Sequence, residues 1–184
     1  MKTRLAGILA AGLLIAGGLF TAAAADDQAD LIASFNKPGD IDSKVADGLI
    51  TGSRIDLIVA ALEKAGFEVE VNKGKDGQPQ IASTDENHPF SIHFYGCTKE
   101  GFDCGYIQFV NGWNMENGVT AVKIEQWNNN QVWGQAYRDD SKDPWIGMTV
   151  NLRGGVTQEN FADTIEWWSK ILDDFQEHIG WNDN

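Results

Sequence analysis

From residue 158 onward, apolar side chains return every three or four positions. Phe161, Ile165, Trp168, Leu172, Phe175 and Ile179 form one stripe, and Asp163, Glu166, Lys170, Asp173, Asp174 and Glu177 decorate the rest. That period marks an amphipathic helix. Thr157 is a natural N-cap, Glu159 falls in the first turn, and Gly154 and Gly155 punctuate the approach. The pattern predicts a helix over 158–179 that lies across a sheet. A second helical stretch is "SRIDLIVAALEKAG", where Ile55, Ile58, Leu62 and Ala65 share a face. Ser53 and Asp56 have capping-box spacing and Gly66 is a stop, so a helix is expected over 54–65. In "GVTAVKIEQWNNNQ", Val119, Val122 and Gln126 fall on one stripe with Trp127 nearby. This predicts a helix from about 119 to 129, ended by the asparagines.

Elsewhere the period is two. Phe67, Val69 and Val71 alternate with Glu68 and Glu70, "NKGKDGQP" is a turn, and "QIAST" is the returning strand. Strands near 90–96 and 105–111 follow, with Phe90, Ile92 and Phe94 on one face and His93 and Tyr95 on the other. "VWGQAYR" and "PWIGMTVNL" read as two more strands around the turn "DDSKD", with Ile146, Met148, Val150 and Leu152 alternating. The order α-β-β-β-β-α-β-β-α describes an α+β domain. It predicts an antiparallel sheet of about six strands with helices packed on one face.

The first residues change the boundaries. Lys2 and Arg4, the apolar run Leu5–Phe20 and an alanine-rich site before Asp26 have the layout of a secretory signal peptide, cleaved after Ala25. The alternative, an uncleaved anchor, wants a longer apolar run. The expected organisation is a signal peptide over 1–25, a flexible lead-in over 26–52 holding a short helical turn at "ADLIASF", and one domain over 53–181. The protein would be periplasmic or secreted, with no membrane span after cleavage. Cleavage removes Lys2 and Arg4, taking the net charge from −13 to −15. Such a surface repels phosphate backbones and anionic lipid, which argues against nucleic acid as a partner.

Export also bears on the two cysteines. Cys97 and Cys104 bracket "TKEGFD" between two alternating runs. In an oxidising compartment this reads as a hairpin closed at its neck by a disulfide. A redox centre wants C-x-x-C, and a metal site wants more ligands than two thiols with scattered imidazoles.

Other chemistry is sparse. The chain has no nucleophile elbow, P-loop, zinc-protease motif or dinucleotide fingerprint. His178 reads as a helix-end residue, His88 as a turn residue before Pro89, and His93 as a satisfied sheet histidine. "DDSKD" begins like a calcium loop, but Pro144 and Val150 stand where that loop needs glycine and glutamate. Acids abound, yet no spacing singles out a catalytic pair. No cofactor, metal ligand set or catalytic residue is implied.

The tryptophans stand out. All seven lie in the C-terminal half, and Trp168 belongs to the core stripe. Alternation places Trp145, Thr149 and Asn151 opposite the Ile146–Leu152 face. It places Trp133, Gln135 and Tyr137 together on the neighbouring strand, where His93, Tyr95, Tyr106 and Gln108 join them. An aromatic face mixed with amides suits partner contact or a homodimer as well as ordinary packing. Trp133, Tyr137 and Trp145 are the candidate partner-binding residues.

These segments together resemble the YbjN family of bacterial sensory-transduction regulators. The matching pieces, in order, are "LEKAGFEVEV" with "DGQPQI", "FSIHFYGC" with "CGYIQF", "EQWNNNQVWGQAY", and "MTVNLRGGVTQENFADTIEWW". Asn129, Asn130 and Gln135 stand where arginines are expected. The resemblance implies a fold similar to type III secretion chaperones, small proteins that dimerise and hold partner chains, and it carries over no catalytic residue. The expected function is a non-enzymatic, exported, chaperone-like binding or adaptor protein for an envelope protein or peptide, or for itself. The alternatives are an envelope glycan hydrolase using paired carboxylates and a purely structural homodimer.

Overall fold

A computed structural model of the chain describes residues 22–36, 48–84 and 88–181. Most of the expected signal peptide therefore lies outside the described residues, as does 37–47 of the expected lead-in. Among the described residues there are four helices and six strands: α1 Ala22–Phe35, α2 Ile55–Lys64, β1 Glu68–Lys73, β2 Pro79–Thr84, β3 Pro89–Tyr95, β4 Tyr106–Gly112, α3 Ala121–Asn130, β5 Gln135–Arg138, β6 Pro144–Asn151 and α4 Gln158–Ile179. The strands make one sheet in the order β1-β2-β3-β4-β6-β5, and every pair is antiparallel. This is the α+β architecture predicted above, with one more helix at the front.

The core lies between the sheet and the helices. Phe90, Ile92 and Phe94 of β3, Ile107 and Phe109 of β4, and Ile146 and Met148 of β6 are all buried. α4 lays Trp168 against Phe90 and Phe109, with ring centroids 5.8 and 5.6 Å apart, and Phe161 against Phe109 at 6.2 Å. Further along α4, Phe175 meets Trp113 and Trp127 at 5.3 and 4.9 Å. Thr157 caps α4 by accepting from the Asn160 N–H, and Gly180 ends it in the left-handed region, at φ 74°.

Three local expectations are corrected. Ser53 and Asp56 form no capping box: the Ser53 hydroxyl donates to Asp103 Oδ1 at 3.0 Å, and the Asp56 N–H donates to Asn36 Oδ1 at 3.3 Å. A residue just past α1 thus caps α2. In α3 the buried side chains are Ile124 and Trp127, whereas Val122 is 60 % exposed. Val119 is buried too, but it lies ahead of the helix, which starts at Ala121 with Thr120 as its cap and turns Ile124 and Trp127 inward. The third concerns "ADLIASF", expected as a short turn. It belongs to the 14-residue α1, which buries Phe35 and packs Leu31 and Ile32 partly against the core.

Candidate binding face

All the helices that close the core lie on the side of Phe90 and Phe109. The register sets the side chains of the other face. Across the middle, His93, Gln108 and Thr149 stand side by side on β3, β4 and β6. Tyr95 pairs directly with Tyr106, and that strand position continues to Asn151. Tyr137 of β5 pairs directly with Trp145 of β6. The two tyrosines of the first pair stack, with centroids 5.5 Å apart and planes at 14°. Tyr137 and Trp145 stack likewise, at 6.2 Å and 14°. Tyr95, Tyr106 and Tyr137 are exposed, and no described helix covers them.

Small residues make this arrangement possible. The Trp145 ring lies over Gly112, where a Cβ would come within 2.5 Å of Cδ2. Gly147 leaves room for the Gln108 amide, 3.0 Å from where its Cβ would sit. The acidic turn after β5 also serves the face. Asp139 Oδ1 accepts from the Ser141 and Asp143 N–H groups, both at 2.9 Å, and Oδ2 accepts from the Trp145 indole N–H at 3.3 Å. The turn expected at "DDSKD" is present, and its first aspartate orients an aromatic ring. Sequence reasoning missed Gly112, Gly147 and Asp139. Of these, only the D-x-S-x-D spacing carried a visible turn signal.

The polar groups of the face feel its partial burial. Burial pushes the Tyr137 phenol above its ordinary value, helped by the neighbouring Tyr95 phenol and the Asp139 carboxylate. Tyr95 Oη lies 3.5 Å from Gln108 Oε1, a long contact. His93 Nε2 is 3.0 Å from Ser91 Oγ, and burial lowers the His93 pKa. The unfolded chain therefore takes up a proton near pH 6.5 that the folded chain still refuses, so acidification favours unfolding. Stability attributable to His93 is fully present above about pH 6.5 and is lost as pH falls through that value toward the lower folded pKa. Urea titrations at about pH 7.5 and about pH 5.5, one on each side of the ordinary histidine range, should show this loss, and His93→Gln should reduce it. An equal pH dependence in both proteins would remove His93 as the cause.

Trp133 does not share this face. It precedes β5, and its ring approaches Trp167 of α4, with centroids 6.4 Å apart. Gly134, at φ 77°, turns the chain between Trp133 and the strand, and its missing Cβ leaves room for Ile171 Cγ2 at 2.9 Å. The expected alternation through "VWGQAYR" fails at that glycine. Of the three candidate contact residues, the fold brings Tyr137 and Trp145 together and places Trp133 on the helical side of β5.

The remaining candidates have structural settings. Cys97 and Cys104 form a disulfide. The backbone of Cys104 also bridges to Gly52, where a Cβ would collide with the Cys104 carbonyl. His178 donates to the Lys123 carbonyl at 2.7 Å and joins α4 to α3. His88 is buried, 3.5 Å from Asp173 Oδ1. Among the described residues no group of three or more His, Cys, Asp or Glu side chains is placed to hold a metal ion, and no helix is long and apolar enough to cross a membrane.

The family model of YbjN, described as "Putative bacterial sensory transduction regulator", matches residues 54–181. The match runs from the first turn of α2 to just beyond α4 and so covers the whole sheet. No curated protein and no solved structure matches the chain.

Proposed function

Because the chain belongs to the YbjN family, we propose that it is a non-enzymatic binding module of a sensory pathway, exported, that holds an envelope polypeptide on its open sheet face. The observation that carries this reading is the pairing of two stacked aromatic couples, Tyr95–Tyr106 and Tyr137–Trp145, around the amide and hydroxyl of Gln108 and Thr149. Rings of this kind supply large contact area with little side-chain entropy to lose, and the amides between them satisfy a polypeptide backbone. Glu68 and Glu70 lie at the β1 end of the same face, and the whole chain carries −13. A neutral or basic segment fits that charge better than an acidic one.

The test is cross-linked capture from cells followed by binding with the purified partner. Tyr137→Ala/Trp145→Ala should weaken binding at least about ten-fold, the effect of losing roughly 1.4 kcal/mol at a contact hot spot. Trp133→Ala should leave binding unchanged, since its ring sits on the other side. Recovery of only the protein itself, lost in the double variant, would make the face a homodimer contact. Equal binding by all three proteins would defeat the reading.

A further inference from the structure

Both edges of the sheet are closed in the same way, each by one side-chain amide. On β5, the Ala136 N–H donates to Asn128 Oδ1 at 2.8 Å, and Asn128 Nδ2 donates back to the Ala136 carbonyl at 3.0 Å. On β1, the Val71 N–H donates to Gln28 Oε1 at 2.8 Å, and Gln28 Nε2 donates to the Val71 carbonyl at 3.3 Å. Each amide takes the pair of bonds that a neighbouring strand would make. Open edges invite pairing with another chain, and such covers prevent it.

The two guards are rooted differently. Asn128 sits in α3, next to buried Trp127, whose indole N–H donates to the Gly134 carbonyl at 2.9 Å. It cannot leave without breaking the core. Gln28 sits in α1, where Phe35 is the one buried hydrophobic among the described side chains. Cleavage at the site expected after Ala25 would also leave Gln28 in the first turn of that helix. The β1 cover is the releasable one.

We propose that α1 is a displaceable guard, and that β1, once uncovered, pairs antiparallel with β1 of a second copy of this chain. The register supports that occupant. Since Val71 directs its N–H and carbonyl away from β2, alternation directs those of Val69 and Lys73 the same way. A two-fold axis at Val71 sets Val71 against Val71 of the second copy, Val69 against Lys73 and Glu70 against Asn72. All the outward groups from 69 to 73 are then paired, in about six bonds. No like charges stand opposite each other, although the strand carries Glu68, Glu70 and Lys73. The general repulsion between two acidic copies is long-range and screened by salt, so self-pairing should tighten as salt is added.

The experiment is sedimentation of the purified protein across a dilution series, with Gln28→Ala and Gln28→Ala/Lys73→Pro beside it. Lys73→Pro deletes an outward N–H and spares the ladder to β2. Gln28→Ala should dimerise at least ten-fold more tightly than the unaltered chain, and the added proline should return it to the starting level. A folded Gln28→Ala protein that associates no more than the unaltered chain overturns the proposal, as does a dimer indifferent to the proline. Hydrogen exchange on the unaltered chain gives an arm free of substitutions. Protection of the Val71 amide should rise with protein concentration, and concentration-independent protection would also overturn the proposal.

Discussion

Trp168→Ala should lower the unfolding free energy by about 3–5 kcal/mol, the cost of emptying a large, fully enclosed aromatic site. Trp168 is 0 % exposed and is the largest fully buried side chain among the described residues. It joins α4 to both Phe90 and Phe109, so its removal loosens the helix from two strands at once. For a chain of this size, each kcal/mol is roughly 2–4 °C of melting temperature. The paired control is Trp168→Phe. The indole N–H is buried and finds no hydrogen-bond partner among the described residues. Replacing it with phenyl removes an unsatisfied donor worth about 1–3 kcal/mol, which offsets part of the lost packing. Calorimetry should therefore show a much smaller loss for phenylalanine than for alanine. Equal losses would mean that the N–H is satisfied, and a loss under about 1 kcal/mol for alanine would mean that the site collapses.

The second large effect is expected from the disulfide. Cys97→Ser/Cys104→Ser should cost about 2.5 kcal/mol, because closing an eight-residue loop removes that much chain entropy from the unfolded state. The loop is also knit to the rest of the fold. Ser53 Oγ donates to Asp103, and Gly52 bridges to Cys104, so the segment entering α2 depends on the loop. Amide exchange should accelerate at Gly52–Arg54 as well as within 97–104. A urea midpoint identical with and without reductant would contradict the expected stabilisation. Acceleration confined to the loop would show that the entry to α2 holds without it.

How much of this was legible depended on how local each cause was. The α4 boundaries follow from a regular apolar stripe with its own cap, so Thr157, Phe161 and Ile179 sit where the pattern puts them. The hairpin alternation from Phe90 to Phe94 places His93 and Tyr95 outside correctly, because a two-residue period leaves no other face. Trp133 escaped for the same reason in reverse. One glycine with positive φ resets the alternation, and nothing in "VWGQAY" distinguishes Gly134 as a turn from Gly134 as a strand residue. Asn36 as the cap of α2, and Gln28 as the cover of β1, act across 20 and 43 residues of chain. Contacts of that kind leave no periodic trace. The stacked couples of the open face were half visible: the alternation brought the rings to one side, but the pairings came from the register, which no single strand encodes.

The order of the chain has a consequence for how the molecule comes into being. Every described strand precedes residue 152, while Phe161, Trp168 and Phe175, which fill the space between sheet and helices, come from the last helix. During synthesis the growing polypeptide is a meander with its oily side bare, and neighbouring hairpins alone cannot hide it. The fold cannot close until α4 itself has been synthesised. Until then the nascent chain is open to whatever binds unfolded polypeptides, whether a holdase or a threading machine.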